Sequence, residues 1–441
     1  MKEYKISDLR SSSPICEKII YQIVFRTFTE QGTISAATEK LKHVASIGAD
    51  IIYLSPFFAA DPDENRENWS PRQTAAGTDN PKNPYRICDY YRIDEEYGTD
   101  EDLCAFVKEA HRLGLEVIFD LVYMHCGPTE FVQKHPSFVK RYSDGSIMST
   151  RYNFPYLDHG NPELREYLWS NMIYLIEKFD VDGFRCDVGD KVPLDFWAEG
   201  RRRCEQIKPS LYFINEGQEP DYMLDVFDAS YYNHDFSWNE VILKALRNGK
   251  NISADIRMIY AALAARNPEG AMLLRAYENH DFVNDSYDGR IDKLCPQLCE
   301  AVMVMNFLID GVPLLYSGNE FAECRRHSIF RKADDRLCMD WSAMDTPLGQ
   351  KRLALTKKLC SLRHSLPVLC HGAAAMEKDA ELVVITRTLG NTTVRAVFSF
   401  ECDGAEYVPH GGNELISWGC ERLGSSIFIQ KGGYYAECII S

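Results

Sequence analysis

Between residues 19 and 365 short apolar runs recur, and amphipathic helix patterns separate most of them. The runs are IIYQIVF, ADIIYLS, LEVIFDLV, GFRCDV, LYFINE, ASYY, MLLRAYE and VPLLYSG, with ASYY the shortest and least distinct. The segments SAATEKLKHVASIG and TDEDLCAFVKEAHRLG end in Gly48 and Gly114, and a third helical pattern follows Pro162. Asp100 and Glu101 suit an acidic first turn, and the two glycines suit helix C-termini. Alternation of this kind implies parallel strands joined by crossover helices. Eight such units closing on themselves make a (β/α)8 barrel of the TIM type, and an open doubly wound sheet is the alternative. No G-x-G-x-x-G follows the first run and no G-x-x-x-x-G-K-[ST] occurs, so nucleotide binding has no support.

Two connections are long. One covers 57–91 after the second run, and an irregular insertion rich in Gly, Pro, Ser and Asp covers about 126–160 after the third. Loops of this length usually carry a function or lack order. In a barrel both would emerge on the face where active sites are built. From about residue 370 the pattern changes to ELVVITRTL, TTVRAVFSF, SSIFIQKG and YYAECII, strands separated by turns without helical periodicity. The expected organisation is a barrel domain over 1–365, including the loop subdomain 126–160, followed by an all-β, β-sandwich domain over 370–441.

Charge narrows the partners. The 441 residues carry 49 basic and 65 acidic side chains, a net charge of −16. Nucleic acids and anionic membranes call for a basic face, so neither is an expected partner. The N-terminal stretch holds no apolar run of signal-peptide length, and nothing reaches the length of a membrane span. None of the 15 cysteines sits in a C-x-x-C pair, which points to free thiols in a reducing, cytoplasmic setting. Sequons at Asn68, Asn251, Asn284 and Asn391 are read as chance.

The run GFRCDV raises a sharper question. Arg185 and Asp187 lie two positions apart, on one side of a strand that is otherwise apolar. Buried charges must be paired. Either the two form a structural ion pair or the strand ends in an active site. Other runs end alike: the third with Asp120 and His125, the fifth with Glu216, the seventh with Asn279, His280 and Asp281. Two facing carboxylates suit glycoside hydrolysis, one attacking the anomeric carbon and the other protonating the leaving oxygen. Arg185 would keep Asp187 ionised as the nucleophile. Glu216, in a less charged setting, would be the acid/base. Tyr85, Tyr123, Trp69 and Phe282 offer flat faces for sugar rings.

These stretches together resemble the α-amylase family of glycoside hydrolases. GADIIYLSPFF is similar to its second strand, DLVYMH to its D-x-x-x-N-H motif, DGFRCDV to its G-F-R-x-D strand, FINEG to the strand presenting the acid, YENHD to its N-H-D motif and GVPLLYSGNE to its eighth strand. FPYLDHGNPELREYL resembles a segment of the neopullulanase and cyclomaltodextrinase branch. The resemblance implies that Asp187 forms a covalent glycosyl intermediate, Glu216 is general acid and then base, and Asp281 binds sugar hydroxyls and stabilises the transition state. It implies that Arg185 orients Asp187, that His125 and His280 hydrogen-bond the sugar, that Tyr85 stacks on it, and that Asp120 organises the floor.

Departures from the pattern carry expectations too. The family's calcium-binding Asn is Met124 here, and a histidine position near calcium is Lys191. A thioether is a poor ligand for calcium, which takes oxygen, and an ammonium repels it. The first loop, RTFTEQGTISAA, lacks the D-x-D-x-D-G pattern of a second metal site. No metal and no cofactor are therefore expected, and DPDENREN is read as a solvated loop. Arg86 stands where exo-acting relatives place an Asp that reads terminal glucose; it cannot accept those hydrogen bonds, and it could instead meet an anionic group. The run Arg201–Arg203 is read as a solvated helix face. The extra N-terminal β domain through which the branch dimerises is expected to be absent, and the oligomeric state is open. The expected activity is a cytoplasmic, retaining hydrolase of α-glucosidic bonds in maltodextrins or related α-glucans. A transglycosylase using the same intermediate and a non-catalytic glycan-binding protein on the same fold are the alternatives. Linkage preference and exo or endo action stay open.

Overall fold

Each of the eight apolar runs becomes a strand of one parallel sheet: β1 (Ile20–Ile23), β2 (Ile51–Leu54), β3 (Glu116–Leu121), β4 (Gly183–Cys186), β5 (Tyr212–Glu216), β6 (Ala229–Tyr231), β7 (Leu274–Arg275) and β8 (Val312–Tyr316). The computed structural model describes residues 14–217, 219–231, 237–281, 290–330, 337–377, 381–401 and 404–440. Neighbours run in the order β6-β5-β4-β3-β2-β1-β8-β7. A parallel bridge between Ser230 and Leu273, with the Ser230 N–H donating to Met272 O at 2.9 Å, joins β6 to the start of β7 and closes the barrel.

The runs are continuously apolar because both strand faces are buried. Ile20, Ile51, Tyr53, Ile118, Ile214 and Leu314 fill the barrel interior. Their sequence neighbours Tyr21, Ile52, Leu54, Val117, Phe119 and Phe213 pack outward against the helices. Fully burying one such side chain is worth roughly 1.5–3 kcal/mol. Helix Asp100–Arg112 starts in a capping box of Thr99 and Asp102, and helix Pro162–Phe179 is capped by Asn161. The single helix expected over 35–48 is instead two, Ile34–Thr38 and Leu41–Ile47, interrupted by bonds from Lys40 N to Ala37 O and from His43 N to Lys40 O. Gly48 ends the second at φ 92°, as expected.

Two readings, of DPDENREN and of the arginine run, need correction, and the first long connection has strands of its own. The connection after β2 contains an antiparallel pair, Phe58–Ala60 with Ile87–Ile93. DPDENREN is not wholly solvated: Asp61 is buried and accepts the Thr129 N–H at 2.7 Å and hydroxyl at 2.6 Å. This bond, and one of 2.9 Å from Asn153 Nδ2 to Trp69 O, clip the two long connections together. Within the arginine run of helix Leu194–Glu205, Arg201 is buried and donates to Asp228 at 3.0 and 3.2 Å. Arg202 and Arg203 pair with Glu199 at the surface, because the helical period turns them away from the barrel.

Behind the barrel six antiparallel strands form one sheet: β9 (Ala373–Met376), β10 (Val383–Leu389), β11 (Thr392–Phe398), β12 (Ala405–Tyr407), β13 (Asn413–Leu423) and β14 (Ser426–Ile440). SSIFIQKG and YYAECII are two halves of β14. Alternate residues serve two cores. Val383, Ile385 and Phe398 join the large cluster of the barrel, while Val384, Val397, Ile427 and Ile429 make a cluster of their own. Among the described residues no helix is long and apolar enough to cross a membrane.

Candidate active site

A cavity of about 480 Å³ opens at the C-terminal ends of the strands. Tyr85, His125, Asp187, Glu216, His280 and Asp281 line it, as does Arg72 from the connection after β2. Asp120 and Arg185 lie beneath, both buried.

Arg185, on β4, organises the floor. Its Nη1 donates to Asp120 at 2.6 and 2.8 Å and to Asp187 Oδ1 at 2.8 Å, and its Nη2 donates to Glu216 Oε2 at 2.5 Å. The Tyr231 hydroxyl accepts from Nε at 3.0 Å and Nη2 at 2.7 Å. One guanidinium therefore serves three carboxyls. The setting of Glu216, expected to be less charged, thus shares the same guanidinium as Asp187. Three buried carboxylates around a single positive charge repel one another, so they do not ionise together.

Their acidities separate accordingly. Burial and the neighbouring charges of Asp187 and Asp281 push Glu216 up to about 8 against the pull of Arg185. Burial raises Asp120 to about 7, again against Arg185. Burial works the same way on Asp187, but Arg185 and His125 outweigh it and hold this carboxyl below its usual range. Asp187 Oδ2 has no hydrogen-bond partner among the described residues; its neighbour is His125 Nε2, at 3.5 Å. At the next residue the chain turns left-handed. Val188 has φ 41° and ψ 44°, and its N–H donates to Glu216 Oε2 at 2.9 Å.

Asp281 approaches from the end of β7. Arg72 Nη1 donates to its Oδ1 at 2.7 Å and Nη2 to its backbone carbonyl at 3.2 Å. Burial opposes the charge on Asp281, but His280 and Arg72 hold it well below the carboxylate range. Burial drives His280 itself down to about 4, so near neutrality Arg72 is the cation left in contact among the described residues. Gln22 Nε2 lies 2.6 Å from His280 Nδ1, and the Tyr85 hydroxyl lies 2.6 Å from Nε2. Tyr85 stacks on the His280 ring at 5.6 Å and donates to Asp120 at 3.2 Å, where the Tyr53 hydroxyl also donates at 2.7 Å.

All eight residues singled out as catalytic or substrate-binding thus meet at one place. The proposed sugar platforms divide. Tyr85 lines the cavity, but Tyr123 is buried against Trp197, with its hydroxyl on Asn171, and Trp69 is buried with its Nε1–H on Asp63 O. Both are packing residues. Phe282 lies outside the described residues, as does the sequon at Asn284. Arg86 is fully buried, 3.9 Å from Asp61 and 3.6 Å from Asp63, and does not line the cavity. Arg72, Lys140, Arg151, Tyr152, Phe154 and Phe330 line it without having been singled out. Arg72 sits on the short helix Pro71–Ala75 and the others in irregular segments, where no periodicity marks a functional side chain. Met124 and Lys191 line it too. Among the described residues no group of three or more His, Cys, Asp or Glu is placed to hold a metal ion.

The family pattern described as "Alpha amylase, catalytic domain" matches residues 20–147. The chain is 27% identical over 429 residues to the alpha-amylase MalA of Haloarcula japonica, covering 91% of this chain and 56% of that protein. It is 25% identical over 411 residues to a cyclomaltodextrinase of Geobacillus thermopakistaniensis, covering 85% and 63%. The chain thus spans less than two thirds of the length of these relatives. Among solved structures it is similar to an alpha-amylase from Lactobacillus plantarum, with a TM-score of 0.78 at 22% identity over 97% of this chain and 100% of that one. At that identity the likeness speaks for the fold.

Proposed function

We propose that the chain carries a catalytic domain of the α-amylase family and is a retaining glycoside hydrolase cleaving α-glucosidic bonds in maltodextrins or related α-glucans. The observation that carries this reading is the Arg185 guanidinium shared by Asp187 and Glu216, whose acidities are moved in opposite directions. Asp187 is ionised, with Oδ2 unpartnered among the described residues and ready to attack an anomeric carbon. Glu216 keeps its proton at neutral pH and gives it to the departing oxygen. It then takes a proton from the water that releases the sugar from Asp187. Atoms balance over the two steps: the glycosidic bond breaks as the Asp187 ester forms, and water breaks the ester.

Asp281, kept ionised by Arg72, accepts sugar hydroxyls and stabilises the positive charge that builds on the ring. His125 and His280 bind the same sugar, and Tyr85 provides its flat face. The reading includes no resident calcium, because Met124 offers a thioether and Lys191 a cation where oxygen ligands would be needed. It places the protein in the cytoplasm; the described cysteines, all free thiols, support this.

Following the anomer released from maltotriose by NMR tests the mechanism. Initial release of the α-anomer is expected, and initial β-anomer overturns it. Activity that EDTA abolishes and calcium restores would overturn the metal reading.

A further inference from the structure

The carboxyls that line the cavity each have a cation in contact or keep a proton. Asp187 has Arg185, Asp281 has Arg72, and Glu216 shares Arg185 and keeps its proton at neutral pH. The outer lining is different. It carries three exposed cations, Lys140, Arg151 and Lys191, in a chain whose net charge is −16. Lys140 and Arg151 have no carboxylate partner among the described residues. Lys191 is 53% exposed at its side chain, and its nearest acid oxygen, Asp190 Oδ1, is 3.8 Å away, too long for a charge-assisted hydrogen bond.

The segments that carry these cations are held in place. Lys140 lies on a paired segment, with its N–H on Tyr156 O at 2.9 Å and its carbonyl accepting from Met148 N at 2.9 Å. Arg151 sits 4.9 Å over the Tyr152 ring and donates to its hydroxyl at 2.7 Å. That turn is tied by Asn153 to Trp69 O, three residues from Arg72. Lys191 follows the turn at Val188 that also holds Glu216. Like charges gathered on one rim repel, and a neutral glucan does nothing to relieve them. An anion does, and a cleft lined by one sign of charge concentrates such a ligand.

We propose that Lys140, Arg151 and Lys191 form a binding site for a phosphate monoester carried by the glycoside, so that the preferred substrate is a phosphorylated α-glucoside. A phosphate dianion supplies three strong acceptor oxygens for three cations, whereas a carboxylate has two oxygens and one charge. The inference rests on the glycosidase reading above. It changes which α-glucoside is preferred and leaves the bond cleaved as it was.

The test compares maltotriose with maltotriose carrying one phosphate on the 6-hydroxyl of each glucose in turn. For one phosphorylated isomer kcat/KM should exceed that of maltotriose by about tenfold, the worth of one good charge-assisted contact, and chiefly through KM. The gain should shrink at about 0.5 M salt, where charges are strongly screened. It should vanish in the double variant Lys140→Met, Arg151→Met, both exposed positions, when read as the ratio of the two substrates within one enzyme. If maltotriose is cleaved and no phosphorylated isomer is preferred, the inference fails while the glycosidase reading stands. If none of the four is cleaved, both fail. A gain that survives salt and the double variant, or an equal gain from a uronic acid in place of the phosphorylated glucose, overturns the phosphate site.

Discussion

Arg185 and Arg290 are both buried and both gripped by carboxylates, yet they anchor different kinds of region. Arg290 ties the residues after β7 to those after β8. Its Nε donates to Glu278 at 3.0 Å and its Nη1 to Ser317 O at 2.8 Å and Glu323 at 3.2 Å. The acids there are fully engaged. Glu278 also accepts from Asn319 at 3.0 Å and Ile291 N at 2.9 Å. Glu323 faces His327 at 3.0 Å, and although burial opposes its charge, His327 and Arg290 hold it down to about 2. None of these groups lines the cavity. Around Arg185 there are three carboxyls to one guanidinium, two of them raised towards neutrality and one with an oxygen that has no hydrogen-bond partner among the described residues. A buried arginine with acids is thus common to scaffold and site; what separates them is that the scaffold's acids are fully engaged, with Glu323 held ionised, while the site holds raised carboxyls and an oxygen without a partner among the described residues.

The largest effect should break the first cluster alone. Asp187→Asn is expected to lower kcat on maltotriose by about 10⁴-fold, a typical cost of losing a nucleophile, with the thermal unfolding midpoint nearly unchanged. Near-wild-type turnover would remove Asp187 from the chemistry. Arg290→Leu should do the reverse. Stranding Glu278 and Glu323 is expected to cost about 3–5 kcal/mol in urea unfolding, while the folded fraction keeps its specific activity. Arg72→Met should cost about 10–100-fold in kcat/KM, since Asp281 loses a charge-assisted contact. An unchanged value would mean that Asp281 is positioned by other groups.

A pH profile sharpens the contrast further. Glu216 has a raised pKa, so the proton it donates is present below about 8 and lost as pH rises through that value. Activity should therefore fall on the alkaline side, by about tenfold per unit well above it. Glu216→Gln should abolish that limb along with most activity. The smallest change, Tyr53→Phe, removes one hydrogen bond to Asp120 and should cost about 1 kcal/mol of stability.

The barrel was legible because burial on both faces writes each strand as an unbroken apolar run, against which Asp120, Arg185, Asp187 and Glu216 stand out. Even ASYY, the faintest run, became β6 and supplies Tyr231 to Arg185. What was not legible lies where no period operates. Arg72, on a one-turn helix, and Arg151, in a turn, are single cations in polar stretches, and nothing local says that the chain brings them to one cavity. Tyr85 and Tyr123 are alike in sequence, and only packing turns one to the cavity and the other onto Trp197. Arg201 and Arg202 are neighbours with opposite fates, decided by which helix face meets Asp228.

Val188 carries a further consequence. A β-branched residue in the left-handed region is strained, and such strain persists only where surroundings enforce it. Here the enforced turn aims a main-chain donor at Glu216. The two carboxyls are thus coupled by backbone as well as by Arg185, through a link that a side-chain substitution at Asp187 leaves in place. A transplant of Asp187, Glu216, Asp281 and Arg185 onto another barrel would copy every reactive group and still lack it. Transferring the chemistry means transferring the bend.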